Sequence, residues 1–136
     1  MGLLLKYSMI IKYYLIIIKQ NIIITSKIAK LAHSYNVSIE GEVGVVGYHN
    51  GKVSEGTKLH DAEKFGNESG VDAMAISVGN MHLQTSKIAK IKISKIKEIE
   101  MNTQVPLVLH GSSGISYLLR KNIANNLLNY ESNRRI

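Results

Sequence analysis

Hydrophobic and polar positions along the chain fall into alternating blocks of two periodicities. Ser26–Tyr35 places Ile28, Leu31 and Ala32 at helical spacing with Lys27 and Lys30 opposite, which predicts a helix ended by Asn36. Val37–Val43 then alternates: Val37, Ile39 and Gly41 point one way, and Ser38, Glu40 and Glu42 the other, as in a strand. Gly44–Lys58 holds four glycines and an Asn-Gly pair and reads as a mobile loop. Asp61–Ser69 begins like a helix with Asp61 as N-cap and Gly66 weakening its end. Val71–Val78 is a small, apolar strand closed by Gly79-Asn80, and Ile91–Met101 is an amphipathic helix. Val105–Leu109 is a continuous apolar run, the pattern of a parallel strand buried on both faces, and it ends at His110. From Ile115 the spacing of Leu118, Leu119, Ile123 and Leu127 is again helical, fading into a polar tail.

Strict alternation of helix and strand predicts βα units on a parallel sheet, an α/β protein. The first twenty residues stand apart. They are apolar but interrupted by Lys6 and Lys12, and Tyr13–Ile18 is far shorter than the ~20 residues that span a bilayer. No small-residue cleavage site follows them, so neither a signal peptide nor a membrane partner is expected. They read as a β-prone segment buried in a complete protein.

Composition changes this picture little. The chain has 136 residues, 45% apolar and 20% charged, and no cysteine, which removes disulfides, thiolate metal sites and Cys nucleophiles and fits the cytoplasm. The net charge of +7 suits a polyanionic partner or a phosphorylated substrate. Its lysines are scattered and Arg occurs only at Arg120, Arg134 and Arg135, so a nucleic-acid partner is not expected.

Candidate chemistry gathers at the C-terminal ends of the three strands. Glu42 precedes the glycine loop, His82 follows the second strand, and His110 with Gly111–Gly114 follows the third. Ligands bind at that edge in parallel α/β folds. Two imidazoles there can share one metal ion, and Gly-Ser-Ser-Gly before a helix offers N–H groups and hydroxyls to a phosphate. Taken singly, each has a plainer reading: a polar loop histidine, a common turn, an exposed acidic face for Glu40 and Glu42. His33, His49 and His60 lack metal-ligand spacing and read as structural.

The segments LAHSYNVSIEGEVGVVG, GVDAMAISVGNMH and VPLVLHGSSGI resemble the class II, zinc-dependent fructose-bisphosphate and tagatose-bisphosphate aldolases, from about Asn21 to Ile123. The resemblance implies a partial (β/α)8 TIM barrel, an incomplete parallel sheet with flanking helices. It divides the chain into a poorly matched segment 1–20, a partial barrel 21–123 and a divergent tail 124–136. It implies reversible aldol cleavage of a ketose bisphosphate to dihydroxyacetone phosphate and an aldehyde, with zinc polarising the carbonyl and stabilising the enediolate. By position His82 and His110 match zinc ligands, Glu42 matches a glutamate at a second metal position, and Gly111 and Ser113 match the loop holding the substrate phosphate and a monovalent cation. Gly79 and Asn80 match the turn that sets up the metal histidine.

Several family features are not found. A barrel takes ~250 residues. The His-x-Asp-His-type segment, which supplies the remaining zinc histidine and the proton-transferring aspartate, is absent from this sequence. SMIIK resembles a relic of the strand before the Asn21 helix. His49 and Asn50 stand where the lid glutamate is expected, Leu83 stands where many members have glycine, and the tail lacks an expected Asn. These departures predict activity only with a complementary half-barrel chain or in a homo-oligomer. The alternatives are an inactive gene remnant and a basic binding module without catalysis.

Overall fold

The computed structural model describes residues 8–11, 18–45, 47–48, 56–82, 90–111 and 115–134, with side-chain detail from 18 to 125 outside 46–55, 81–89 and 112–114. It begins with strand β1 (Ser8–Ile11), helix α1 (Ile18–Ser34) and strand β2 (Ser38–Val43). A two-residue strand β3 (Gly47–Tyr48), helix α2 (Leu59–Glu68), strand β4 (Ala73–Ile76) and a second short strand β5 (Met81–His82) follow. Helix α3 (Ile93–Met101), strand β6 (Leu107–Val108) and helix α4 (Tyr117–Arg134) complete the order.

Four strands form one parallel sheet in the order β1-β2-β4-β6, and β3 pairs in parallel with β5 in a separate two-stranded sheet. This is the parallel sheet with flanking helices that alternating βα units predict, and the partial barrel wall that the family resemblance implies. Ser8–Ile11 of the SMIIK segment form strand β1, in register against Ser38–Gly41.

Strand register sorts the side chains. Gly41 pairs with Met74 and Val43 with Ile76, and these residues face the helices. Ile39, Val43, Met74, Ile76 and Val78 join Ile22, Ala29 and Ala32 of α1, Ala62 and Phe65 of α2, Ile96 and Ile99 of α3 and Ile123 of α4 in one buried cluster. Burial of that apolar area supplies the main stabilisation, at roughly 25 cal/mol per Å² removed from water. Gly41 is what lets α2 approach β2: a Cβ there would lie 2.7 Å from Phe65 Cζ and 2.8 Å from Val71 Cγ1.

The opposite face of the sheet carries Glu40, paired with Ala73, and Glu42, paired with Ala75, which in turn pairs with Val108. Such a sheet is two-sided: one face is packed against helices and the other forms the inner wall of the barrel.

Several local expectations shift. The first helix begins at Ile18, eight residues before Ser26, because Asn21, Ile22 and Thr25 continue its buried stripe. It ends where the sequence predicts, with Asn36 at φ 55 and the Val37 N–H donating to the Ala32 carbonyl. The N-cap of α2 is Lys58, with no side-chain capping bond; Asp61 lies inside the first turn, where its charge favours the helix dipole instead. Gly66 does not end α2; a Cβ at that position would clash with Thr103 Oγ1, so glycine lets the loop after α3 approach. β6 is half-buried on both residues, since it borders the described sheet and has a strand neighbour only in β4. The loop Gly44–Lys58 contains β3, and the polar tail remains helical to Arg134. No helix among the described residues is long and apolar enough to cross a membrane.

Candidate active site

The inner face of the sheet brings together residues that lie far apart in sequence. His110 follows β6, and its Nε2 lies 2.6 Å from Glu40 Oε1 on β2, across the intervening strand β4. Ala73 and Ala75 occupy β4 at the register of Glu40 and Glu42, so the strand between the two partners presents only methyl groups. Both side chains of the pair are largely shielded, with 21% of His110 and 15% of Glu40 accessible. Glu42, two residues on, is buried on the same face. Glu40 is therefore not part of an exposed acidic face; it is the hydrogen-bonding partner of a candidate metal histidine.

The rim above this face is braced by side chains. Asn80 is buried; its Oδ1 accepts the Val78 N–H at 2.8 Å, and its Nδ2 donates to the Ile76 carbonyl at 3.2 Å and the His110 carbonyl at 2.9 Å. One amide thus closes the turn after β4 and ties it to the end of β6. Gly79 turns the chain with φ 106, where a Cβ would collide with the Lys90 carbonyl.

Thr57 forms the second brace. Its Oγ1 donates to the Val43 carbonyl and accepts the Ser77 N–H, both at 2.7 Å, while its own N–H donates to the Ser77 carbonyl at 2.7 Å. It fastens the end of the glycine loop to the tops of β2 and β4. From behind, Asn21 of α1 donates to the Glu42 carbonyl at 3.1 Å and accepts from Thr25. Sequence reasoning missed Thr57 and Asn21, which lie in a loop and a helix with no motif to mark them. Glu40 could have been found, because strand alternation already puts it on the Glu42 face.

The remaining site residues are placed as follows. His82 sits in β5 with its backbone beside Tyr48, so the glycine loop and the His82 segment share one small sheet. The His82 side chain, His49, Asn50, Leu83 and Ser113 lie outside the described residues. Gly111, the first residue of the Gly-Ser-Ser-Gly segment, takes φ 69 directly after His110. His33, expected to be structural, pairs with Asp72 at 2.9 Å, with both side chains nearly half exposed.

No three His, Cys, Asp or Glu side chains among the described residues are grouped to hold a metal ion. The donor types present suit zinc in kind, an imidazole of His110 and the buried carboxylate of Glu42 on one wall, while His82 lies in the separate two-stranded sheet.

A parallel βα wall with flanking helices and polar side chains on its inner face defines part of an α/β barrel. The family description "Fructose-bisphosphate aldolase class-II" matches residues 14–127, and the chain belongs to that family. It is 40% identical over 101 residues to a 6-phospho-5-dehydro-2-deoxy-D-gluconate aldolase of Shouchella clausii, covering 72% of this chain and 34% of that protein. It is 34% identical over 103 residues to a fructose-bisphosphate aldolase of Giardia intestinalis, covering 71% of this chain and 32% of that one. Among solved structures, the YdjI aldolase from Escherichia coli K12 superposes with a TM-score of 0.64 at 30% identity, covering 80% of this chain and 38% of the other. A candidate fructose-1,6-bisphosphate aldolase from Coccidioides immitis shares the fold, with a TM-score of 0.69 at 19% identity over 80% of this chain and 41% of that one. The chain spans about a third of the length of the curated relatives it matches.

Proposed function

We propose that this chain supplies the later metal- and phosphate-binding wall of a class II aldolase, acting on a phosphorylated sugar by reversible aldol cleavage. The observation that carries the reading is the convergence of Glu40, Glu42 and His110 on the inner sheet face, directly before the Gly111 turn, in a chain of this family. In this reading His82 and His110 hold zinc, and Glu42 stands at a second cation position. Gly111 and Ser113 receive the substrate phosphate, with a monovalent cation beside it. Bound zinc supplies polarisation of the substrate carbonyl. This chain's residues orient one imidazole, hold the turn that faces the anion and keep the rim closed through Asn80 and Thr57.

Two zinc imidazoles leave the coordination short of a third protein ligand and the reaction short of a general base, whose loss alone costs ~10²–10⁴ in rate. Turnover therefore needs a further zinc ligand and a general base beyond the residues of this sequence. The test mixes the protein with the N-terminal half-barrel of a class II aldolase and measures cleavage with added zinc. The substrates are fructose 1,6-bisphosphate, tagatose 1,6-bisphosphate and 6-phospho-5-dehydro-2-deoxy-D-gluconate. Zinc-dependent cleavage that His110→Ala abolishes is the expected result; no zinc-dependent activity in any pairing refutes the assignment.

A further inference from the structure

The Glu40–His110 hydrogen bond joins residues seventy positions apart and reaches across a strand that offers only alanine methyls at that register. It bridges β2 and the end of β6 on the inner face. We propose that Glu40 is the positioning residue for His110, fixing both the orientation of its ring and the nitrogen it turns toward the catalytic centre.

The reasoning is one of proton accounting. A carboxylate oxygen accepts hydrogen bonds, and the 2.6 Å contact is the geometry in which His110 Nε2 donates to Glu40 Oε1. In the neutral imidazole the lone pair then resides on Nδ1, and a metal ligand must be the neutral form. A carboxylate behind a ligating imidazole fixes its tautomer and raises its basicity. Placement fits this role: Asn80 fixes the His110 backbone through its carbonyl, and Glu40 fixes the ring, so the main chain is held from the turn after β4 and the side chain from β2. Glu40 acts through His110 and needs no contact with substrate. The proposal rests on the reading of His110 as a metal ligand.

The test uses ¹⁵N-labelled full-length protein and two readouts. The first is the imidazole tautomer of His110 from long-range ¹H–¹⁵N spectra of the metal-free protein, assigned with His110→Ala. Wild type should show the Nε2–H tautomer. Glu40→Gln, whose amide oxygen can still accept, should keep it, whereas Glu40→Leu and Glu40→Asp, one apolar and one too short, should lose the single-tautomer signature. The second readout is calorimetric titration with zinc chloride, in which Glu40→Leu and Glu40→Asp should weaken affinity ~10–100-fold and Glu40→Gln less.

An unchanged ring signature in Glu40→Leu or Glu40→Asp overturns the proposal. So does zinc affinity that is unchanged or tighter in those variants, which would mark Glu40 as a bystander or a competitor for His110. If Glu40→Leu does not fold, judged by circular dichroism, the Asp and Gln pair decides. Failure of the wild-type protein to bind zinc would refute the functional reading instead, and the metal-free spectra distinguish that failure from failure of the Glu40 role.

Discussion

Asn80 Nδ2 donates to the carbonyl of His110 at 2.9 Å, linking the turn after β4 to the residue that ends β6. The same side chain accepts from Val78 and donates to Ile76, so three backbone groups depend on one buried amide. Replacing it removes three hydrogen bonds to backbone groups around a buried side chain, and each buried group left unsatisfied costs ~1–3 kcal/mol. Asn80→Ala is expected to lower stability by about 2 kcal/mol or more, read from urea denaturation. Asn80→Asp keeps the Val78 contact but loses both donated bonds, so it should also destabilise.

Ala75 shares its register with Glu42 and Val108, and Ala73 shares its register with Glu40. Enlarging either fills the gap through which His110 reaches Glu40. Ala75→Leu is expected to cost ~1–3 kcal/mol through overpacking. It should also shift the His110 ring resonances, whereas a matched enlargement at the exposed Ser38 should leave them in place.

The approach of Phe65 to Gly41 makes a different prediction. A methyl at residue 41 would sit under 3 Å from both Phe65 and Val71 side-chain atoms, in the centre of the helix-facing core. Gly41→Ala is expected to destabilise by ~1–3 kcal/mol. Pairing it with Phe65→Leu should recover part of that loss, and a double-mutant cycle measures the coupling.

Asp72 sets a pH dependence away from the site. Its Oδ2 receives the Ile39 N–H at 2.8 Å and lies 2.9 Å from His33 Nε2. Burial pushes the carboxyl up, but the hydrogen bonds from His33 and Ile39 and the charge of His33 outweigh it and hold Asp72 below the usual carboxylate range. A depressed folded value contributes stability that is present above the unfolded value, ~3.9, and is lost as pH falls through the folded one. Acid denaturation should therefore be shallower below about pH 4 in Asp72→Asn than in wild type. The pair is nearly half exposed, so the difference should be small and should shrink in high salt.

The predicted elements correspond to the observed ones wherever periodicity was unbroken. Ile39, Gly41 and Val43 alternate onto the helix face, and Ile96 and Ile99 mark the buried side of α3. Boundaries moved where a polar residue is buried: Asn21 and Thr25 precede the expected helix start at Ser26 but are interior to α1, where Asn21 donates to the Glu42 carbonyl of β2 and accepts from Thr25. β3 and β5 were not legible, since two-residue strands have no period and exist only through each other.

For the site, sequence alone determined which face Glu40 and Glu42 share, because alternation is a property of one strand, and it placed His110 and the glycine turn at a strand end. Only the tertiary structure decided that Glu40 meets His110, that Thr57 and Asn80 close the rim, and that Asp72 takes His33. Those contacts depend on sheet order and on the width of the strand between the partners. Both are set by the packing of several βα units at once, so no local pattern records them.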